Sequence, residues 1–166
     1  AERTFIRFQQ THQGVPVFGA EAIVQTGAAG KTVVRAANAN FLSDLDVSVT
    51  PALTAAAAQA IAVARVVKTH AVQAERVRAG APELWIYNPV LVGHAAARTS
   101  LVWRMAVRVD ERPDINELVL VDAQRGFVTL SFNQIALAKR RVVYDNRNQH
   151  SEDLSLFGPS RNEGQG

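Results

Sequence analysis

Apolar and polar residues alternate with a period of two over Thr4–Gln10 and again over Val15–Thr26, with His12-Gln13-Gly14 between them as a turn. Gly27-Ala28-Ala29-Gly30 supplies flexible turn residues, and Lys31–Ala37, with Val33 and Val34, returns as a third strand. The start of the chain therefore reads as a small antiparallel meander. Pro16 has no amide proton for a ladder, so its strand is either at an edge or bulged there, and the edge is the expectation. Phe41–Val49 is mixed and reads as an extended connector that ends in Thr50-Pro51-Ala52-Leu53-Thr54.

The period then lengthens. Ala55–Val67 consists of strong helix formers with Ala58, Ile61, Ala62 and Val66 on one side, and the Thr54 hydroxyl is placed to accept from an amide of the first turn. Small residues on that face allow close packing on a sheet. Lys68–Ala81 loses the clean face, and Ala79-Gly80-Ala81-Pro82 reads as the helix stop. From Glu83 the period is two again, which predicts strands over Leu84–Leu91, Ser100–Val109, Ile115–Val121 and Gly126–Phe132. In the second of these, Leu101, Trp103, Met105 and Val107 alternate with Val102, Arg104, Ala106 and Arg108, so the helix is expected on the more apolar face. Asp110–Asp114 and Asp122–Gly126 read as turns. The fold class is α+β, with antiparallel sheets and an Ala-rich helix packed on one face. After Phe132 the pattern decays, and Asp145–Gly166 has only Leu154, Leu156 and Phe157 as apolar anchors. That segment is expected to lead into further chain.

Composition narrows the classes. With 166 residues, 48% hydrophobic and 20% charged, the chain can bury a core without metal or disulfide staples. Zero Cys excludes disulfides, thiolate zinc sites and cysteine nucleophiles. A net charge of +3, with Lys and Arg scattered among Asp and Glu, argues against nucleic acid as a partner. Leu53–Val67 is mostly Ala and is interrupted by Gln59 and Arg65, so no bilayer span is expected. The chain opens Ala1-Glu2-Arg3-Thr4 without a basic start and an apolar run, and it reads as a processed or excised piece.

Catalytic chemistry is sparse. His12, His70, His94 and His150 form no pair at helical spacing, and H-E-x-x-H, G-x-S-x-G, P-loop and G-x-G-x-x-G patterns do not occur. Scattered His12, His94, Asp110 and Asp122 read as surface and turn residues rather than as metal ligands. Trp85, Tyr87 and Trp103 alternate with apolar neighbours, which favours packing over a ligand-stacking platform. Asp122, opening a turn before Gly126, reads as turn chemistry through bonds to backbone amides. Lys139-Arg140-Arg141 is either a solvated charge run or a protease-sensitive cluster.

Three stretches in this order resemble the prosegment of secreted thermolysin-like zinc metallopeptidases. Phe5-Ile6-Arg7-Phe8-Gln9-Gln10 followed by Gly14-Val15-Pro16-Val17-Phe18-Gly19 looks like the fungalysin/thermolysin propeptide motif, through Arg7, Gln10, Gly14, Pro16, Val17 and Gly19, with Phe5 where many relatives carry His. Thr50-Pro51 with the Ala-rich helix, Pro82–Tyr87, Leu101–Arg104 with Trp103, and Val121-Asp122-Ala123 leading to Gly126 resemble the PepSY domain of the same precursors. Ala138–Asn146 and Arg161–Gly164 look like the start of the peptidase unit.

The resemblance implies a propeptide-like β segment over 1–49, truncated on its N-terminal side, a cystatin-like PepSY domain over 50–133 and a processing linker over 134–166. It implies a prosegment that chaperones and inhibits its tethered protease until it is cut away, secreted as part of a precursor. The partner is then the catalytic domain of its own metallopeptidase, with no nucleic acid and no membrane. It implies no catalytic residue, metal ligand or cofactor in this chain, with Zn and Ca in the parent enzyme. The processing region is Gln134, Ile135, Ala136, Leu137, Lys139, Arg140, Arg141 and Val142. Cleavage before Ile135, Leu137 or Val142 suits a thermolysin-like enzyme, and Lys139–Arg141 suits a trypsin-like helper. The rival reading is a free-standing secreted PepSY-type module that inhibits a separately encoded peptidase.

Overall fold

The computed structural model describes residues 4–26, 34–95, 98–135, 142–144 and 159–162. The chain forms two units, Ala1–Ile135 and Ala136–Gly166. The first has β1 (Thr4–His12), β2 (Val15–Thr26), β3 (Val34–Ala39), α1 (Ala55–His70), β4 (Val77–Ala79), β5 (Glu83–Tyr87), β6 (Ser100–Val109), β7 (Arg112–Asp122) and β8 (Val128–Asn133). These strands make one sheet in the order β1-β2-β5-β6-β7-β8, with β3 also on β2 and β4 also on β6. All pairings are antiparallel except β2 with β5, which meet in parallel at Val17 and Ile86. In the second unit β9 (Val142–Tyr144) pairs with β10 (Pro159–Asn162). The α+β class read from the pattern is the observed one.

The helix forms where its cap and its small face allow. Thr54 has extended backbone, and its Oγ1 accepts from the Ala57 amide at 3.2 Å. Ala58, Ala62 and Val66 are buried against Met105, Val107, Ile115, Val119 and Val121, so the stripe lies on the expected face of β6 and also covers β7. A second cluster gathers Val17, Ala20, Ile86, Leu101 and Ala123 under the connector residues Leu42, Leu45, Val47 and Val49. Trp103 packs against both clusters, and its Nε1 donates to the Leu53 carbonyl at 2.8 Å. Trp85 and Tyr87 pack as the alternation implied. Tyr87 is buried with Val102 and Leu120, and the Phe18 ring meets both Trp85 and Tyr87 edge-on at 6.2 Å.

Four expectations are corrected. The helix stops at His70, where Ala71 takes a left-handed backbone, rather than at Ala79–Pro82. Residues 77–79 form β4 instead, because the ladder to Val107–Val109 and burial of Val77 outweigh a local helical preference. The strand expected over Leu84–Leu91 ends at Tyr87, since the Asn88 side chain accepts from the Val90 amide and Pro89 opens a short 3-10 turn. The turn expected over Asp110–Asp114 shrinks to Asp110–Glu111, and β7 starts at Arg112. Pro16 is in a strand flanked on both sides, so it does not mark an edge. It pairs with Thr11 beyond a register shift between Gln9 and Thr11, which makes the bulge the operative alternative.

Strand β2 pairs with β1, β3 and β5, and the glutamine pair before the turn supports the bulge. Gln9 Nε2 donates to the carbonyls of Val17 at 2.6 Å and Ala20 at 2.9 Å. Gln10 exchanges two bonds with the Leu42 backbone, donating to its carbonyl at 2.8 Å and accepting from its amide at 3.0 Å. Gly19 turns the bulge with φ +78. Gly19→Ala is therefore expected to destabilise the unit by about 1–2 kcal/mol from backbone strain. The nearest atoms to the added Cβ, on Leu91 and Val92, begin at an ordinary 3.5 Å. Denaturant unfolding measures this, and an unchanged midpoint would refute it.

Candidate functional site

Two surfaces stand out. The first is the arm made by β1, β2 and β3. Its register places Ile6, Phe8, Ala22, Val24, Ala37 and Ala39 on one face, with no charge among them. Phe8 is 52% and Ile6 41% exposed on this face. The other face carries exposed Phe5 and Ile23 alongside Arg7 and Glu21, which are paired at 3.1 Å but largely open to solvent and so worth little to stability. Strand β1 pairs only with β2 among the described residues, leaving one edge of nine residues free.

The second surface is a cleft of about 650 Å³ between the connector at 46–50, the end of β5, the start of β6 and the turn after β7. Asp122 and Tyr87, 6% and 4% exposed, line it from below. Asp122 Oδ1 accepts from the amides of Gln124 at 2.9 Å and Arg125 at 2.7 Å, which is the turn chemistry read from the sequence. Its Oδ2 takes no bond from a described residue. Burial raises the Tyr87 pKa, so its phenol stays protonated, and its hydroxyl bonds to no described residue. Arg98 and Arg125 line the same cleft as exposed side chains. Gln124 Nε2 holds the Thr50 carbonyl at 2.8 Å, and Ala123 O takes the amides of Ala52 and Leu53, so the connector wall is fixed to the turn.

The motif residues of the sequence reading fall on three places. Arg7, Gln10, Gly14, Pro16, Val17 and Gly19 build the arm and its bulge, Trp103 is at the centre of the sheet, and Asp122 and Gly126 shape the turn beside the cleft. In the processing region, the Gln134 amide donates to Asn116 O at 2.8 Å and the Ile135 amide to Asn133 Oδ1 at 3.1 Å. Ala136, Leu137, Lys139, Arg140 and Arg141 lie outside the described residues, as does His150, and Val142 opens β9. His12, His94, Asp110 and Asp122 are not gathered, and no group of three or more His, Asp or Glu among the described residues could hold a metal ion. No described helix is long and apolar enough to cross a membrane.

Sequence reasoning missed Gln9, whose signal was a glutamine doublet ahead of a turn. It also missed the joint placement of Tyr87, Arg98 and Arg125, which are too far apart in sequence to form a pattern.

Residues 2–38 match the family described as Fungalysin/Thermolysin Propeptide Motif. The resemblance drawn from Phe5–Gln10 and Gly14–Gly19 is thereby supported over this stretch, which spans β1, β2 and most of β3. No curated protein matches the chain. Among solved structures, the Bacillus megaterium YpeB C-terminal domain is 13% identical, with 79% of this chain and 51% of that chain covered and a TM-score of 0.45. This chain thus spans about half the length of that one.

Proposed function

We propose that the chain is the prosegment of a secreted thermolysin-like metalloendopeptidase, which keeps the tethered catalytic domain latent and assists its folding until it is cut away. The observation that carries the reading is the propeptide motif over residues 2–38. The arm built from those residues supports it, because it offers an uncharged apolar face and a free strand edge to a partner. In this reading residues 1–49 are the propeptide-motif segment, 50–133 a PepSY domain and 134–166 the processing linker. Zn and Ca belong to the peptidase, and the chain supplies no catalytic group.

The physics suits both roles. A tether raises the effective concentration of an inhibitor into the millimolar range for short flexible linkers, so moderate affinity gives latency and cleavage ends it. A partner that binds the folding transition state of a kinetically protected protease speeds its folding and is dispensable afterwards. For processing, the backbone bonds at Gln134 and Ile135 must open before a cut ahead of Ile135. A cut ahead of Val142 likewise requires the pairing of Val142 with Asn162 to open.

The test is a titration of the purified chain into a thermolysin-like peptidase translated from the same reading frame, with hydrolysis of a small peptide as the readout. Tight, slowly reversed inhibition is expected, then recovery of activity as fragments appear whose masses place the cut between Ile135 and Val142. Folded chain that fails to inhibit at high concentration would overturn the reading.

A further inference from the structure

The cleft beside Asp122 carries both signs of charge, and only one oxygen of its buried carboxylate is used by the fold. Asp122 and Tyr87 are more than nine-tenths buried, and each keeps an oxygen, Oδ2 and the hydroxyl, that bonds to no described residue. Arg98 and Arg125, together with the exposed carboxylate of Asp46, line the same cleft and enter none of the ion pairs among the described residues, so the site holds two groups of each sign. A lone anion would meet the buried carboxylate, and a lone cation would meet two guanidinia, so neither matches the whole site. A ligand with an ammonium at one end and a carboxylate at the other matches both. Apolar Leu101 and Val128 also line the cleft, and its volume is in the range that takes ligands larger than a single functional group.

We propose that this cleft binds short peptides with free ends, the ammonium at Asp122 and the Tyr87 hydroxyl and the carboxylate at Arg98 and Arg125. The walls are set before binding, since Gln124 ties the connector to the turn and Asp122 Oδ1 fixes the turn itself. The site stands whether or not the chain is a prosegment, because none of its groups belongs to the arm.

The test is a titration of the isotope-labelled full chain with the dipeptide Leu-Phe, following backbone amide signals. Saturable shifts are expected at Thr99, Ser100, Gln124, Arg125 and Phe127. The end-blocked N-acetyl-Leu-Phe-amide should bind about tenfold more weakly, as loss of charge-assisted bonds at both ends implies. Arg98→Ala and Arg125→Ala change exposed side chains and leave the fold intact, and each should weaken binding by roughly tenfold. Tyr87→Phe removes a hydroxyl that has no described protein partner and should weaken binding by about threefold. The proposal is overturned if no saturable shift occurs up to about 10 mM peptide, a concentration that would detect even very weak binding. It is equally overturned if the shifts fall elsewhere, or if the blocked peptide binds as well as the free one.

Discussion

Trp103→Ala is expected to lower the unfolding free energy of the first unit by about 3 kcal/mol. Trp103 touches both the cluster under α1 and the cluster under the connector, so its removal opens a gap between two packed regions at once. It also deprives the Leu53 carbonyl, immediately before the helix cap, of its 2.8 Å partner. Trp103→Phe separates the two contributions, because it keeps most of the ring contacts and loses only the bond. Its expected cost is about 1–2 kcal/mol. Urea unfolding with circular dichroism measures both, and a Trp103→Ala variant within about 0.5 kcal/mol of the parent would show that the two clusters are stable independently.

Why Trp103 was legible in advance, and other features were not, is a matter of range. Local periodicity carries the strands β1, β2, β6 and β8, because alternation is set by neighbours two residues apart and needs no knowledge of the partner. The Thr54 cap and the Asp122 turn were equally readable, since each bond closes within three residues. Strand β4 was not. Residues 72–79 contain nothing that forbids a helix, and the deciding contacts come from Val107–Val109, about thirty residues away in sequence. The parallel meeting of Val17 with Ile86 is of the same kind, because a single non-local pair decides which strand stands beside β2.

The site divides along the same line. The arm was visible as a motif because its Arg, Gln, Gly and Pro residues act within one hairpin: Gly14 in the turn, Pro16 and Gly19 at the bulge, Gln9 and Gln10 holding carbonyls. The apolar face of the arm needed the register as well. Ile6 and Phe8 become neighbours of Val24 and Ala22 only once the pairing is known. The cleft was invisible, since Tyr87, Arg98 and Asp122 come together only when β5, β6 and β7 lie side by side. Asp122 was read correctly for one of its oxygens, and the other found its surroundings only in the assembled sheet.

A partly buried pair that no local pattern announces gives the second large effect. Glu117 faces the helix side of β7 with a side chain 7% exposed, and His70, at the last turn of α1, meets it with Nε2 to Oε1 at 3.0 Å. Ser131 Oγ donates to the other carboxylate oxygen at 3.2 Å. His70→Ala therefore leaves a carboxylate out of water with one partner in place of two, and the expected loss is about 2–3 kcal/mol. Replacing both residues, His70→Leu with Glu117→Leu, removes the charge together with its need for a partner and restores stability to within about 1 kcal/mol of the parent. The non-additivity is the signature, because a pair that acted only through packing volume would make the double variant the worse of the two. Denaturation of the parent, His70→Leu, Glu117→Leu and the double variant completes the cycle, with His70→Ala as the variant that removes the partner without adding apolar volume. A double variant no more stable than His70→Ala would mean that the pair is held by its shape, and that the end of α1 is anchored to β7 by packing alone.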